Sequence, residues 1–124
     1  MREILFRGKR LDNGEWAEGD LIQAPDGRAA ISTEEDLLGV DPETVCQYTG
    51  LIDKNGRKVF EGDIIRFEKK TYTVVWLDEI ASFDSKPLKG ERCRPSMNKG
   101  TMKVSEVIGN IFDNPELLKG GDTD

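Results

Sequence analysis

The residues of this 124-residue chain whose types and spacing best suit chemistry are four carboxylates: Glu18 and Asp20 flank Gly19, and Glu61 and Asp63 flank Gly62. Two such corners side by side offer oxygen ligands to a hard divalent cation, with no other metal site in view. They also offer a carboxyl pair in which one group raises the pKa of the other for hydrolysis. The same residues have a plainer use, because an aspartate beside a glycine ahead of a strand accepts backbone N–H bonds in a turn. A second set is basic: Lys86, Lys89, Arg92, Arg94 and Lys99 fall in one stretch, interrupted by Glu91. It reads either as a nucleic-acid arm or as a solvated loop. Gln47-Tyr48-Thr49-Gly50 carries an amide, a phenol and a hydroxyl for a ligand, or is a strand entering a tight turn with Tyr48 packed inside.

Composition narrows the chemistry. The chain has no histidine, so the usual proton carrier near neutral pH and the commonest metal ligand are both missing. Ser-His and Cys-His nucleophiles and histidine-based zinc sites are excluded. Cys46 and Cys93 lie far apart with no CxxC spacing, which fits reduced thiols better than a zinc or redox motif. No glycine-rich phosphate loop is present, and no cofactor is expected. With 18 basic and 24 acidic side chains, the net charge of −6 works against broad attraction to nucleic acid or to an anionic membrane. Charges interrupt the short apolar run Ile4-Leu5-Phe6, and no window approaches the roughly 18 apolar residues of a membrane helix. These features predict a soluble, intracellular protein without membrane contact.

The elements that must position these side chains are mostly strands. Ile4 to Phe6 and Trp16 to Ile22, joined at Asp12-Asn13-Gly14, predict a hairpin with a bulge or close backbone approach at Gly19. Pro25-Asp26-Gly27 predicts a turn into a short strand over Arg28 to Ile31. Ser32 to Gly39 carries cap-competent residues, Glu35 and a closing glycine, which predicts a turn or two of helix near Glu34. Asp41-Pro42-Glu43 predicts a brief 3-10 turn before the chain extends at Val45.

Ile64 to Phe67 and Thr71 to Leu77 alternate in hydrophobicity and predict an antiparallel hairpin turning at Lys69-Lys70, with Tyr72, Val74 and Trp76 on one face. Between Asp78 and Gly100 turn formers dominate, which predicts a long loop pinned by Phe83 and Leu88. Thr101 to Ile108 reads as a strand, and Asn114-Pro115 opens a short helix through Leu118. Asn13-Gly14 through Glu18-Gly19-Asp20-Leu21-Ile22 is echoed by Asn55-Gly56 through Glu61-Gly62-Asp63-Ile64-Ile65, a near-repeat that suggests two related bends. The expected fold is α+β but mainly β: a small antiparallel, partly open SH3-like barrel or two curled sheets, with one or two short helices. Residues 1–118 are expected to form one domain and 119–124 a flexible polar tail.

Several blocks together resemble the YopX family of phage and prophage proteins. They are Ile4-Leu5-Phe6-Arg7, Trp16 with Gly19-Asp20-Leu21-Ile22, and Val45-Cys46-Gln47-Tyr48-Thr49-Gly50-Leu51-Ile52-Asp53-Lys54-Asn55-Gly56. Phe60-Glu61-Gly62-Asp63-Ile64-Ile65, Val74-Val75-Trp76 and Val107-Ile108-Gly109-Asn110-Ile111-Phe112-Asp113-Asn114-Pro115-Glu116-Leu117-Leu118 complete them. The resemblance implies a phage or prophage origin, a bacterial cytoplasmic setting and self-association, and supplies no catalytic residue to carry over. Read together, these features predict a non-enzymatic accessory protein acting by protein–protein contact as a homo-oligomer, with a host or phage protein as partner. The alternatives are a nucleic-acid-binding module using a barrel face and the 86–99 stretch, and a carboxylate or metal-dependent hydrolase at the Glu-Gly-Asp corners.

Overall fold

The computed structural model describes residues 3–87 and 95–119. The chain divides into two compact units, Met1–Tyr48 and Thr49–Asp124. Strands dominate both, as the alternating pattern predicts, and they form antiparallel ladders rather than a closed barrel.

In the first unit, β1 (Phe6–Lys9) and β2 (Trp16–Gln23) form the expected hairpin, with Phe6 opposite Gly19 and Lys9 opposite Trp16. β2 does not break at Gly19. It runs on without a bulge and changes partner, pairing from Asp20 onward with β3 (Ala29–Ser32). Glycine is needed there because a Cβ would run into the Ser32 carbonyl oxygen. β4 (Leu37–Val40) then pairs with β3, Leu37 opposite Ser32 and Val40 opposite Ala29.

No helix forms near Glu34. The Thr33 hydroxyl accepts the N–H groups of Glu35 and Asp36 at 3.2 and 2.9 Å, and Thr33 N–H donates to the Asp36 carbonyl at 2.8 Å. The capping chemistry foreseen for a helix closes a hairpin loop instead, because β3 offers the following residues a ladder. The Leu11 N–H donates to the Gly39 carbonyl and the Asp41 N–H to the Lys9 carbonyl, drawing the end of β4 toward the end of β1 around a bridge between Arg10 and Val40. The curled sheet encloses Ala17, Ala29, Ile31 and Val40, with Phe6, Leu21, Leu38 and Val45 packed against them. The 3-10 turn Pro42–Thr44 follows as expected, Asp41 capping Glu43 N–H at 3.0 Å. β5 (Cys46–Ile52) begins beside β1, Arg7 opposite Cys46, and continues into the second unit, where it neighbours β6 (Lys58–Phe60).

The second unit contains a four-stranded sheet in the order β10 (Glu106–Asn110), β7 (Asp63–Phe67), β8 (Lys70–Leu77), β9 (Ser82–Pro87). The β7–β8 hairpin turns at Glu68-Lys69, one residue earlier than the sequence suggests. Both carry positive φ, 51° and 71°, and that pair of conformations matches the twist of a two-residue hairpin even without Asn-Gly. The region expected as a long loop contains β9, in register with β8 from Tyr72–Pro87 to Leu77–Ser82. Its serines, charges and terminal proline suit an edge strand. Phe83 packs edge-on against Trp76 with ring centroids 5.0 Å apart, as its pinning role requires, whereas Leu88 lies outside the described residues.

Thr101 to Ile108 is not one strand. Asn98 accepts Thr101 N–H at 2.9 Å and caps α1 (Lys99–Lys103), after which the chain turns into β10. The change of periodicity puts Met102 in the core at 0% exposure and leaves Val104 outside at 62%. Met102 joins Val59, Ile65, Tyr72, Val74 and Val107 in one buried cluster, each worth about 1.5–3 kcal/mol of transfer free energy. The unbroken register with β9 keeps Trp76 on the face of Tyr72 and Val74, but toward the end of the strand, where it is 42% exposed. α2 (Glu116–Lys119) ends the described chain close to where the Asn-Pro signal places it.

Candidate functional site

The acidic candidates fall into unlike settings. Asp63 is 2% exposed, and its Oδ2 accepts Phe60 N–H at 2.8 Å across the Glu61-Gly62 turn. Gly62 holds φ at 88°, donates to the Val74 carbonyl at 2.8 Å and accepts from Ile111 N–H at 2.9 Å. Asp63 therefore builds a corner, and half-buried Glu61 sits in it. Glu18 and Asp20 are exposed on a continuous strand of the first unit. The near-repeat in sequence is thus not a repeat in geometry. Within neither unit, among the described residues, do three or more Asp, Glu or Cys side chains come together as a metal-holding group.

Of the basic set, Lys86 on β9 and Lys99 on α1 are exposed, and Lys89, Arg92 and Arg94 lie outside the described residues. Tyr48 is buried as the packing reading expects, and the Thr49 hydroxyl donates to the Val59 carbonyl at 2.7 Å. Phe60 and Tyr72 are core residues. Trp16 is overlaid by the Arg7 guanidinium at 4.4 Å and the Lys9 ammonium at 5.4 Å. Cys46 is buried, with its Sγ 3.2 Å from the Thr44 carbonyl, and Cys93 lies outside the described residues.

A functional role for Asp53 is structural and was not singled out from sequence. Its carboxylate accepts Asn55 N–H and Arg57 N–H at 2.9 Å on Oδ1, and Val107 N–H at 2.9 Å on Oδ2. Lys54 N–H donates to the Ser105 carbonyl and the Arg57 guanidinium to the Val107 carbonyl, so the 53–57 turn docks along the edge of β10. Burial opposes the charged form of Asp53, but the backbone donors, with Arg57 nearby, outweigh it and hold the carboxyl below its ordinary range.

An open surface in the first unit is the outer face of the β2–β3–β4 ribbon. Alternation places Glu18, Asp20 and Ile22 on that face of β2, and register completes two cross-strand rows: Asp20–Ser32–Leu37 and Ile22–Ala30–Gly39. The rows are about 7 Å apart, two residues of strand rise. Around the second row lies a trough of about 640 Å³, whose lining includes Leu11, Ile22, Ala30, Leu37, Gly39 and Pro42. Leu11, Ile22 and Leu37 are 70%, 49% and 65% exposed, a concentration of aliphatic surface on a chain with only 36% hydrophobic residues. Toward the other end, an acidic depression is lined by Glu18, Asp20, Ser32, Thr33, Glu34 and Glu35.

The family model described as YopX protein matches residues 5–119 of the chain. The chain belongs to the YopX family. The crystal structure of protein EF1440 from Enterococcus faecalis is similar to this YopX-family chain with a TM-score of 0.63 and 21% identity, covering 96% of this chain and 100% of that one. At that identity the likeness is one of fold. No curated protein matches the chain. Among the described residues, no helix is long and apolar enough to cross a membrane.

Charge is divided unevenly in this YopX-family chain. The first 48 residues hold 11 of the 24 acidic side chains and 5 of the 18 basic ones, a net −6, and the remaining 76 hold 13 of each. The whole net charge of the protein thus resides in the unit that carries the apolar trough.

Proposed function

We propose that this YopX-family protein is a non-enzymatic accessory factor of a phage or prophage that works by protein–protein contact, using the outer face of β2–β3–β4 to hold a partner protein. The observation that carries the reading is the trough: three large aliphatic side chains stand exposed around a floor of Ala30 and Gly39. An apolar centre with a polar rim is the anatomy of a protein interface, and the aliphatic centre gains most from leaving water. The lack of histidine and the use of Asp63 inside its own turn support a role without catalysis. The phage or prophage setting and the bacterial cytoplasm belong to the same proposal and rest on the family resemblance. Self-association is its other part, and it uses a different surface, because two acidic faces of one kind repel each other.

Affinity capture from the bacterial host tests the contact with paired baits, the wild-type chain and the double variant Ile22→Asp/Leu37→Asp. The expected result is a partner retained by the first and lost by the second. Equal retention by both, with the variant's circular dichroism unchanged, overturns the reading. Light scattering across a concentration series tests self-association, where the mass of a single chain throughout would refute it.

A further inference from the structure

We infer that the partner segment held in the trough is basic: a stretch of polypeptide with aliphatic side chains directly beside lysines or arginines. This rests on the contact reading above and adds the chemistry of the partner. The supporting observation is the adjacency of two unlike surfaces on one ribbon. The row Ile22–Ala30–Gly39 floors the aliphatic trough, and the next row, Asp20–Ser32–Leu37, is shared between trough and acidic depression, since Leu37 lines the first and Asp20 and Ser32 the second. Glu18 follows on β2, and Glu34 and Glu35 occupy the β3–β4 loop, all three exposed.

A peptide lying along the ribbon therefore meets aliphatic side chains and, about 7 Å further, carboxylates. The Thr33 hydroxyl fixes the loop backbone by accepting Glu35 and Asp36 N–H, so Glu34 and Glu35 are presented from an ordered turn. Nothing basic in the depression offsets the four carboxylates, because its lining is Glu18, Gly19, Asp20, Ser32, Thr33, Glu34 and Glu35. Of the cations of the first unit, Arg7 and Lys9 lie over Trp16, Arg10 pairs with Asp12 at 2.7 Å, and Arg28, which lines the trough, pairs with Asp26 at 2.8 Å. Carboxylates so arranged speed the approach of a cationic segment and repel an acidic one, while the aliphatic contacts hold it.

The test is a titration of the full chain, observed by amide NMR, with three synthetic peptides that share one aliphatic core and are flanked by lysines, serines or glutamates. The inference expects binding in the order lysine, serine, glutamate, with shifts at Ile22, Ala30, Leu37 and Gly39 for the core and at Asp20, Glu34 and Glu35 for the lysine flanks. Surface ion pairs are each worth up to about fivefold in affinity, so Glu34→Lys/Glu35→Lys should weaken the lysine-flanked peptide by roughly tenfold or more and strengthen the glutamate-flanked one. Equal binding of the lysine and serine peptides overturns the basic-partner inference and leaves the contact reading standing. If none of the three shifts the trough amides, the contact reading falls with it. A lysine–serine peptide without the aliphatic core that binds as well as the full one reduces the effect to bulk charge and also overturns the inference. Glu34 and Glu35 are exposed, and Glu35 bonds the Thr33 hydroxyl through its backbone N–H, so the double variant keeps the hairpin.

Discussion

Removing the Asp53 carboxylate should loosen the second unit more than any other single loss of a polar side chain described above. Three backbone donors converge on it at 2.9 Å, but they are not equivalent. Asn55 and Arg57 are exposed, and water can take over their N–H groups once the carboxylate is gone. Val107 is 4% exposed, and its N–H would be left in a dry site. A charge-assisted bond lost there, with the donor stranded, costs about 2–4 kcal/mol, a large fraction of the stability of a small protein. Asp53→Ala should therefore shift the urea midpoint strongly. Asp53→Asn keeps an acceptor for Asn55 and Arg57 but must turn its NH₂ toward the Val107 N–H, two donors facing each other, and should lose about 1–3 kcal/mol.

Acid provides the second arm of the same test. The folded-state pKa of Asp53 lies below its ordinary value of 3.8, so the unfolded chain binds this proton more readily than the native one. Its contribution is complete well above that ordinary value, shrinks as pH falls through it, and vanishes below the folded-state pKa. The stability gap between wild type and Asp53→Asn, measured by urea unfolding from neutral pH downward, should narrow across that acidic window. An Asp53→Ala protein within about 0.5 kcal/mol of wild type at neutral pH, or a gap that stays constant into strong acid, would refute this account.

Three further outcomes follow from the packing and charge described above. Gly19→Ala should cost about 1–3 kcal/mol in urea unfolding, because the new Cβ meets the Ser32 carbonyl, which β3 cannot withdraw without leaving register. Met102→Ala empties a fully buried position in the cluster with Val59, Ile65 and Tyr72, and should cost about 2–5 kcal/mol by the same measurement. Filter binding should retain neither mixed DNA nor mixed RNA at about 50 mM salt, and retention that weakens in Arg92→Ala/Arg94→Ala would favour the nucleic-acid alternative over protein contact.

Local chemistry was legible where one residue type dictates one conformation. Asn13-Gly14, Pro25-Asp26-Gly27, Asp41-Pro42 and Asn114-Pro115 all mark the turns or helix starts expected of them. The alternation of Ile64 to Phe67 and Tyr72 to Leu77 gave the central hairpin for the same reason. What failed was competition between two local answers. Asn98 can cap a helix or sit in a loop, and the strand-like residues after it favour extension, yet α1 forms because Met102 gains a fully buried place in the core. β9 was hidden because an edge strand needs no continuous apolar face, only a neighbour with free backbone groups, and that neighbour is β8.

The same competition concealed the surface on which function is proposed. Glu18, Asp20 and Ile22 are visibly on one face of β2, but the sequence offers a helix across Glu34 to Leu38, and on a helix the adjacent Leu37 and Leu38 lie near one side. In the strand that forms, they part: Leu38 packs toward the core and Leu37 stands 65% exposed beside the carboxylates. Pairing of β4 with β3 is thus the step that converts a scatter of exposed leucines and glutamates into adjoining rows. The two Glu-Gly-Asp copies have different fates. One lies in this ribbon, where Asp20 stays exposed, and the other closes a turn around buried Asp63. A motif read as two matched halves of one site is therefore divided, one copy exposed on a strand and the other spent on the fold.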